Sequence, residues 1–415
     1  MSWSDDMNIY DLIIIGGGAS GLMASLSATD HGSSVLILEK NNRIGKKILV
    51  TGNGRCNYTN VLLKKDDFNH PDFVEKIFNQ FGPAETIDYF ENLGIIAKVE
   101  DEGKTYPLSE QAASFLDIFL YEIEKRNIQV ELEKEVIKIT KNKDIFLLTT
   151  KDGKKYSSKK IILSTGGKSM SLTGSDGSGY ELAQSLGHRV TEVFPALVKL
   201  RLDSPHLKHL SGVKINGQVD LMLGEEVIQS ETGDILFANY GISGPTILEL
   251  SRKANELLNK NKKLHIRIIL IQSVSKSKII ERFNRSQDKE ISQSLVGLVN
   301  KRFISVLLKE SGIDKSNILV KDVNKNQLYK LIDLLYDWRI LITGSLGFED
   351  SQVTAGGIDL KTINNQTLES NIHKGLYFTG EVLDIDGRCG GYNLQWAWSS
   401  GYIAGKNASL SDQND

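Results

Sequence analysis

Cysteine, proline and methionine are scarce in this 415-residue chain, which has two, six and five of them respectively. Two cysteines, Cys56 and Cys389, cannot build a disulfide framework, and neither has zinc-ligand spacing, so no metal site is expected. Long apolar runs are missing too. Leu12 to Ile15 is far too short to cross a bilayer. Asp5, Asp6 and Asp11 lie before or beside it, where a signal peptide would carry positive charge. These absences predict a cytoplasmic protein in a reducing compartment, without membrane contact. No internal repeat or low-complexity linker is visible. The formal net charge is only −2, so the molecule as a whole should not be drawn to polyanions. The length predicts more than one compact unit, and oligomeric state is not legible.

Glycine is abundant, and its placement is informative. Tyr10 to Ile15 is an apolar, β-branched run that reads as a buried parallel strand. It leads into Gly16-Gly17-Gly18-Ala19-Ser20-Gly21, a G-x-G-x-x-G pattern, then an apolar helical stretch from Leu22. Val35 to Leu38 reads as a second strand ending at Glu39. Gly16 suits the tight turn, Gly18 lets a pyrophosphate approach the backbone, and Gly21 lets helix and strand pack closely. Ala19 and Ser20 open the helix, whose N-terminus offers free N–H groups to phosphate. Glu39 can accept from ribose hydroxyls, which favours FAD or NAD over NADP. A glycine-rich turn without a ligand is the plainer alternative.

The rest of the chain favours FAD. A glycine- and asparagine-rich basic loop, Gly45 to Asn57, follows where an NAD dehydrogenase would continue with alternating strands and helices. Near the other end, Gly375 to Phe378 reads as a strand running into the turn Gly380-Glu381, which resembles the Gly-Asp or Gly-Glu that flavoproteins of this broad class place against the flavin's ribityl chain. Gly387 to Asn393 is a glycine-rich loop, and Leu394 to Ala404 reads as a helix whose N-terminus would face an electron-rich group. Ile161 to Gly167 reads as another core strand, Tyr180 to Leu186 as a helix, and Val130 to Thr140 and Asp144 to Thr150 as two strands.

Gly52-Asn53-Gly54-Arg55-Cys56-Asn57, Gly241 to Pro245, Thr354 to Gly357, Gly380 to Asp384 and Gly390 to Ala397 together closely resemble the YhiN/BaiN-like (RdsA-type) flavoproteins. The resemblance implies an α/β fold, a Rossmann-like FAD-binding domain (GR2-type flavoprotein) with an inserted β-barrel-like and helical domain. The boundaries expected are 1–195 with 337–415 for the split FAD-binding domain and 196–336 for the insert. Within the insert, 196–250 and 264–272 form the β unit and about 274–335 is helical. The resemblance further implies that Lys40, Lys46, Gly52, Asn53, Arg55, Cys56, Asn57, Val136, Thr165, Gly166, Asp386, Gly391, Tyr392, Asn393 and Leu394 join the glycine turn, Glu39, Gly380 and Glu381 around FAD. Members of this family have been assigned as ribosomal RNA dihydrouridine synthases, as reductases of unsaturated bile-acid intermediates and as an aminoacetone oxidase.

The expected activity is therefore reduction of an activated C=C bond by FAD, with NADH or NADPH as a transient reductant. Uridine in ribosomal RNA is the first candidate substrate, and an unsaturated steroid-like molecule or a small amine is the alternative. No second nucleotide-binding glycine motif is visible for nicotinamide. Ser251 to Lys330 carries 18 Lys plus Arg against 7 Asp plus Glu, a net +11, so the remainder of the chain sums to −13. Such a segment has the electrostatic character of a polyanion site, although a solvated lysine-rich surface would look the same. Candidate catalytic residues are Cys56 and Cys389, each preceded by an arginine (Arg55, Arg388), because a thiol in an electropositive loop can donate a proton. Arg388 is a further candidate, to polarise a carbonyl or hold phosphate, with a structural loop role as its alternative. Tyr392 could donate to or stack on the flavin. Packing roles for both cysteines are the alternative.

Overall fold

The computed structural model describes residues 9–410, and the chain divides into two compact units at Pro195/Ala196 and Ser351/Gln352. The flanking unit is built on a seven-stranded sheet. Ile9–Ile15 lies at its centre, parallel to Val35–Leu38 on one side and to Lys155–Leu163 on the other. Gln129–Glu131 extends the sheet beyond Val35–Leu38, while Leu376–Phe378 pairs in parallel with Lys155–Leu163. Leu12 to Ile15 and Val35 to Leu38 are all buried. Their unbroken apolar character follows from a parallel sheet covered on both faces.

Val130 to Thr140 is not the continuous strand that its composition suggests. The chain turns at Glu133, in the left-handed region at φ 57°. Gln129–Glu131 then pairs with the parallel sheet, whereas Val136–Asn142 forms an antiparallel ribbon with Ile145–Thr150. Helix Ala19–Asp30 lies against the terminal helix Tyr392–Leu410. A Cβ on Gly401 would sit 2.3 Å from the Ser20 carbonyl oxygen, and one on Gly405 2.3 Å from that of Ala24. The small residues of the terminal helix therefore serve backbone-to-backbone packing.

Between the second strand and the ribbon lies a layer without a strong sequence signature. Helices Pro71–Phe78, Pro83–Asn92 and Ala112–Lys125 surround a small antiparallel sheet of Thr59–Asn60, Lys104–Pro107 and Ala97–Val99. An aromatic cluster joins this layer to the terminal helix. Tyr58 lies 4.9 Å from Phe115, and Phe90 lies 5.2 Å from Trp398, centroid to centroid.

Residues 196–351 form a closed six-stranded barrel carrying helices. The strands follow one another around it as Leu200–Asp203, Gly241–Ser243, Glu226–Ala238, Lys214–Leu223, Leu264–Ile269 and Trp338–Ser345. Helices Pro245–Asn259, Lys276–Arg285, Ile291–Leu295, Lys301–Glu310 and Lys325–Leu334 complete the unit. The insert therefore extends beyond the expected boundary at 336. Trp338–Ser345 pairs with both Leu264–Ile269 and Leu200–Asp203, and so closes the barrel. Its alternate residues Trp338, Ile340 and Ile342 are buried in the insert's own core.

Candidate cofactor and active site

Each of the three motif glycines has a different steric reason to be glycine. Gly16 has φ +105°, and a Cβ there would lie 2.5 Å from the Ser164 carbonyl oxygen. A Cβ on Gly21 would lie 2.0 Å from the Gly16 carbonyl oxygen, so helix and turn touch through backbone. A Cβ on Gly18 would meet no atom within 4 Å. The protein itself thus needs Gly16 and Gly21, while Gly18 faces open space at the helix N-terminus, where Ala19 and Ser20 form the first turn.

Glu39 is buried at the end of the second strand. Its Oε2 accepts from the Gly17 N–H at 2.8 Å, and its Oε1 accepts from the N–H and Nδ2 of Asn41 at 2.8 and 2.7 Å. A carboxylate has about four acceptor positions, so capacity for a hydroxyl remains. Lys46 Nζ donates to Asn41 Oδ1 at 3.2 Å. Lys40 pairs with Asp176 at 2.6 Å and also reaches Ser178. Both lysines are thus anchored beside Glu39, with Lys40 held by the Ser175 to Ser178 loop. Val136 is buried at the start of its strand.

The C-terminal turn meets the N-terminal one directly. Gly380 has φ +70°, and a Cβ there would lie 2.6 Å from Ser20 Oγ. Its N–H donates to Ser400 Oγ at 2.9 Å, and its carbonyl accepts from Trp396 Nε1 at 3.1 Å. Glu381 is held by Lys47 Nζ at 2.6 Å and by the Thr354 N–H at 2.7 Å. Thr354 Oγ1 in turn accepts from the Lys168 and Ser169 N–H groups at 2.7 and 3.0 Å. Residues separated by more than three hundred positions are thereby bonded into one cradle. Lys47, Asn41, Thr354 and Ser400 were not singled out by sequence reasoning. Of these, only Thr354 lies in a family motif.

The HI0933-like protein Rossmann domain family matches residues 10–407. The chain belongs to that family. The HI0933-like chain is 37% identical over 404 residues to a 3-dehydro-bile acid delta(4,6)-reductase of Clostridium scindens, covering 95% of this chain and 98% of the relative. It is 30% identical over 414 residues to a ribosomal RNA dihydrouridine synthase of Escherichia coli, covering 97% and 98%. Among solved structures, a 3-ketosteroid delta1-dehydrogenase from Sterolibacterium denitrificans aligns with a TM-score of 0.50 at 12% identity, over 98% of this chain and all of that one, a likeness of fold. The HI0933-like chain is an FAD-dependent oxidoreductase.

The cradle fits FAD on its own terms. Thr165 Oγ1 and Ser175 Oγ are buried with no hydrogen-bond partner among the described residues, beside Gly166 at φ +72°. A Cβ on Gly166 would lie 2.8 Å from Ser175 Oγ, and one on Gly179 would lie 1.8 Å from Thr165 Oγ1. Orphaned hydroxyls are costly unless a ligand completes them. The Tyr180 hydroxyl is likewise buried without a partner among the described residues. Burial first, and the nearby Glu381 and Asp384 carboxylates second, push its pKa far above the ordinary tyrosine value.

The Gly45 to Asn57 loop and the Gly387 to Leu394 loop are held largely by contacts with the protein around them. Gly52 and Asn53 both take φ 56° and are exposed. Arg55 lies over the Tyr106 ring at 4.1 Å and pairs with Glu100 and Glu110 at 2.6 and 3.2 Å. Asn57 Oδ1 accepts from the Thr105 N–H at 3.2 Å. Asn393 spends its side-chain amide on loop closure: Oδ1 accepts from the Gly387 N–H, and Nδ2 donates to the Gly387 and Arg388 carbonyls. Asp386 is buried and clamped through its backbone by Asn69. Gly391 has φ +101°, and a Cβ there would lie 2.3 Å from the Thr59 carbonyl oxygen. Leu394 is half-buried in the first turn of the terminal helix.

Of the catalytic candidates, Cys56 is corrected by the structure. Its thiol is fully buried, and burial pushes the pKa up to about 12, a shift only partly offset by Thr51. Arg55 points to carboxylates rather than to the thiol. Cys56 therefore presents no surface to a cofactor or substrate and serves packing. Cys389 is half-buried, 3.9 Å from Gln352 Oε1, and close enough to Lys104 and Tyr106 to interact with them electrostatically. Arg388 is exposed, and Tyr392 lies 6.0 Å from the Phe68 ring. Cys389, Arg388 and Tyr392 share one loop and helix start. Cys56 lies in the core, apart from them in accessibility. Among the described residues no helix is long and apolar enough to cross a membrane.

Proposed function

We propose that this protein uses NADH or NADPH to reduce a C=C bond conjugated to a carbonyl, and that its substrate is uridine in ribosomal RNA, converted to 5,6-dihydrouridine. The two relatives' names describe this same chemistry on different molecules: saturation of a delta(4,6) bile acid and formation of dihydrouridine. FAD, when bound, would supply the two-electron redox chemistry of such a reduction. The protein's own residues hold the cofactor at Gly18, Thr165, Ser175 and Glu39, brace the cradle through Lys47, Glu381 and Thr354, and provide the proton for the neighbouring carbon. Cys389 is the side chain best suited to that proton, because it is half-buried rather than sealed. The target uridine must be unstacked to reach any such site.

The observation favouring RNA over a small molecule is the charge of the insert. Of the 18 basic residues in Ser251 to Lys330, 15 are exposed. Lys278, Lys289, Lys301, Lys309, Lys325 and Lys330 have no carboxylate partner among the described residues. Unpaired, solvated cations on one module are what a polyanion ligand requires. The higher identity to the bile-acid reductase supports the small-molecule reading instead. Mass spectrometry of ribosomal RNA from a strain lacking this gene decides between them. Loss of one dihydrouridine, restored by the wild-type gene, is expected. Unchanged dihydrouridine would reject the RNA substrate.

A further inference from the structure

The proposed RNA reading leaves open which form of RNA the insert holds, and its surface bears on that directly. Helix Lys276–Arg285 buries Ile279 and Phe283 and turns Lys278, Arg282 and Arg285 outward at helical spacing. Helix Lys301–Glu310 buries Phe303, Val306, Leu307 and Leu308 and exposes Lys301 and Lys309, two turns apart on one face. Helix Lys325–Leu334 exposes Lys325 and Lys330 and buries Leu331 and Ile332. The cationic groups thus belong to helices whose apolar residues are committed to the insert's core.

Aromatic platforms are nearly absent from this surface. Ser251 to Lys330 contains Phe283, Phe303 and Tyr329. Phe283 and Phe303 are fully buried, and Phe303 packs against Phe237 and Trp338 at 5.2 and 5.9 Å. Tyr329 alone is exposed, at 53%. Proteins that grip single strands combine a basic groove with several aromatic rings on which successive bases stack. Base-paired RNA offers no free base faces and is held through phosphates and 2′-hydroxyls instead.

We propose that the helical face of the insert binds base-paired RNA through its phosphate backbone, without stacking and with little sequence preference. This proposal rests on the RNA reading above and adds the class of element recognised. The target uridine would then be flanked by a helix that the insert holds.

The test is fluorescence anisotropy of the FAD-loaded full chain. Its probes are an RNA duplex of about 16 base pairs and a polyuridine strand of about the same length, from about 50 to 200 mM salt. The duplex is expected to bind at least about tenfold more tightly, with a steep log–log salt dependence. A triple variant, Lys278→Glu, Lys301→Glu and Lys309→Glu, should weaken duplex binding and flatten the slope by about 3, roughly one per phosphate contact removed. Retained flavin absorbance and melting temperature show that it is folded. Should it misfold, Lys301→Gln alone is expected to flatten the slope by about 1. Equal or tighter binding of polyuridine would overturn the proposal. So would tighter binding to phosphatidylserine vesicles than to the duplex, which would assign the face to a membrane. The two readings fail separately. If ribosomal dihydrouridine survives gene deletion while duplex preference holds, the substrate assignment falls and the duplex surface stands. If dihydrouridine is lost but no duplex preference is seen, only this proposal falls.

Discussion

The glycines of the first turn divide sharply into those the protein's own packing needs and one, Gly18, that it does not. Gly18 has φ −83°, a conformation alanine adopts freely, and open space where its Cβ would point. Gly18→Ala should leave the melting temperature of flavin-free protein unchanged while weakening FAD binding tenfold or more, since the methyl group would occupy the path of the pyrophosphate. Gly21→Ala places a methyl 2.0 Å from a carbonyl oxygen and should destabilise the flavin-free protein itself. Thermal melts without flavin and fluorescence titration with it separate the two effects. If Gly18→Ala binds FAD normally, the cradle has been misread. The cysteines divide similarly. Ellman's reagent should find one reactive thiol in the native protein, Cys389, and two in denaturant, because Cys56 is sealed in the core with its pKa raised to about 12. A Cys389→Ser variant that still titrates rapidly would refute the assignment.

His188 makes a pH-dependent contribution to stability. The ring is buried, with Thr362 Oγ1 and Ser370 Oγ 3.0 Å from its two nitrogens, and it packs against Phe378. Burial, and secondarily the neighbouring His373, hold its pKa down to about 4. An unfolded histidine titrates near 6.5, so below that pH the unfolded chain binds a proton that the native state refuses. This contribution is complete above about pH 6.5 and declines as pH falls towards the native pKa. It should be about 2 kcal/mol smaller at about pH 5 than at about pH 7.5. Urea midpoints at both values, for wild type and His188→Gln, measure it. The variant should be less stable at the higher pH yet lose less on acidification, and an equal loss in both proteins would exclude His188 as the cause.

At the scale of elements, the terminal helix reverses the usual expectation for glycine. In an isolated helix, Gly→Ala stabilises by about 1 kcal/mol. In Tyr392–Leu410, Gly401→Ala and Gly405→Ala should instead destabilise, because each methyl would meet a carbonyl oxygen of helix Ala19–Asp30 at 2.3 Å. A lowered urea midpoint for both variants is the expected result. The glycine turn and second strand were legible because parallel strands read as unbroken apolar runs. The layer from Tyr58 to Lys125 was not legible, because its short strands and helices are stabilised by aromatic contacts that span the chain, such as Phe90 with Trp398. Nor were the supports of Glu381. Lys47 and Thr354 reach it from distant segments, and neither residue type announces such a partner. The insert's final strand was assigned to the wrong unit because Trp338, Ile340 and Ile342 alternate as any half-buried strand does, and alternation does not say which core it joins.

For the whole molecule, the decisive arrangement is that the chain leaves and re-enters the flavin unit at one place. Phe194–Ala196 pairs with Val353–Ala355 as a two-stranded sheet. Beside it, the Thr191 N–H donates to the Gly357 carbonyl at 2.8 Å, and the Gly357 N–H donates to Thr191 Oγ1 at 3.0 Å. Closing a loop between ends already held together costs little, and the cost grows only slowly with length. The Gly16–Ser164, Ser20–Gly380, Lys47–Glu381 and Thr354–Glu381 contacts of the FAD cradle lie within residues 9–195 and 352–410. A chain in which residues 196–351 are replaced by about six Gly and Ser residues should therefore fold and retain FAD through gel filtration. The same protein should lose duplex RNA binding, because the unpaired lysines leave with the insert. Failure to hold flavin would mean that the barrel is part of the cofactor site. Retained RNA affinity would move the polyanion surface to the flavin unit, against the net charge of the two segments.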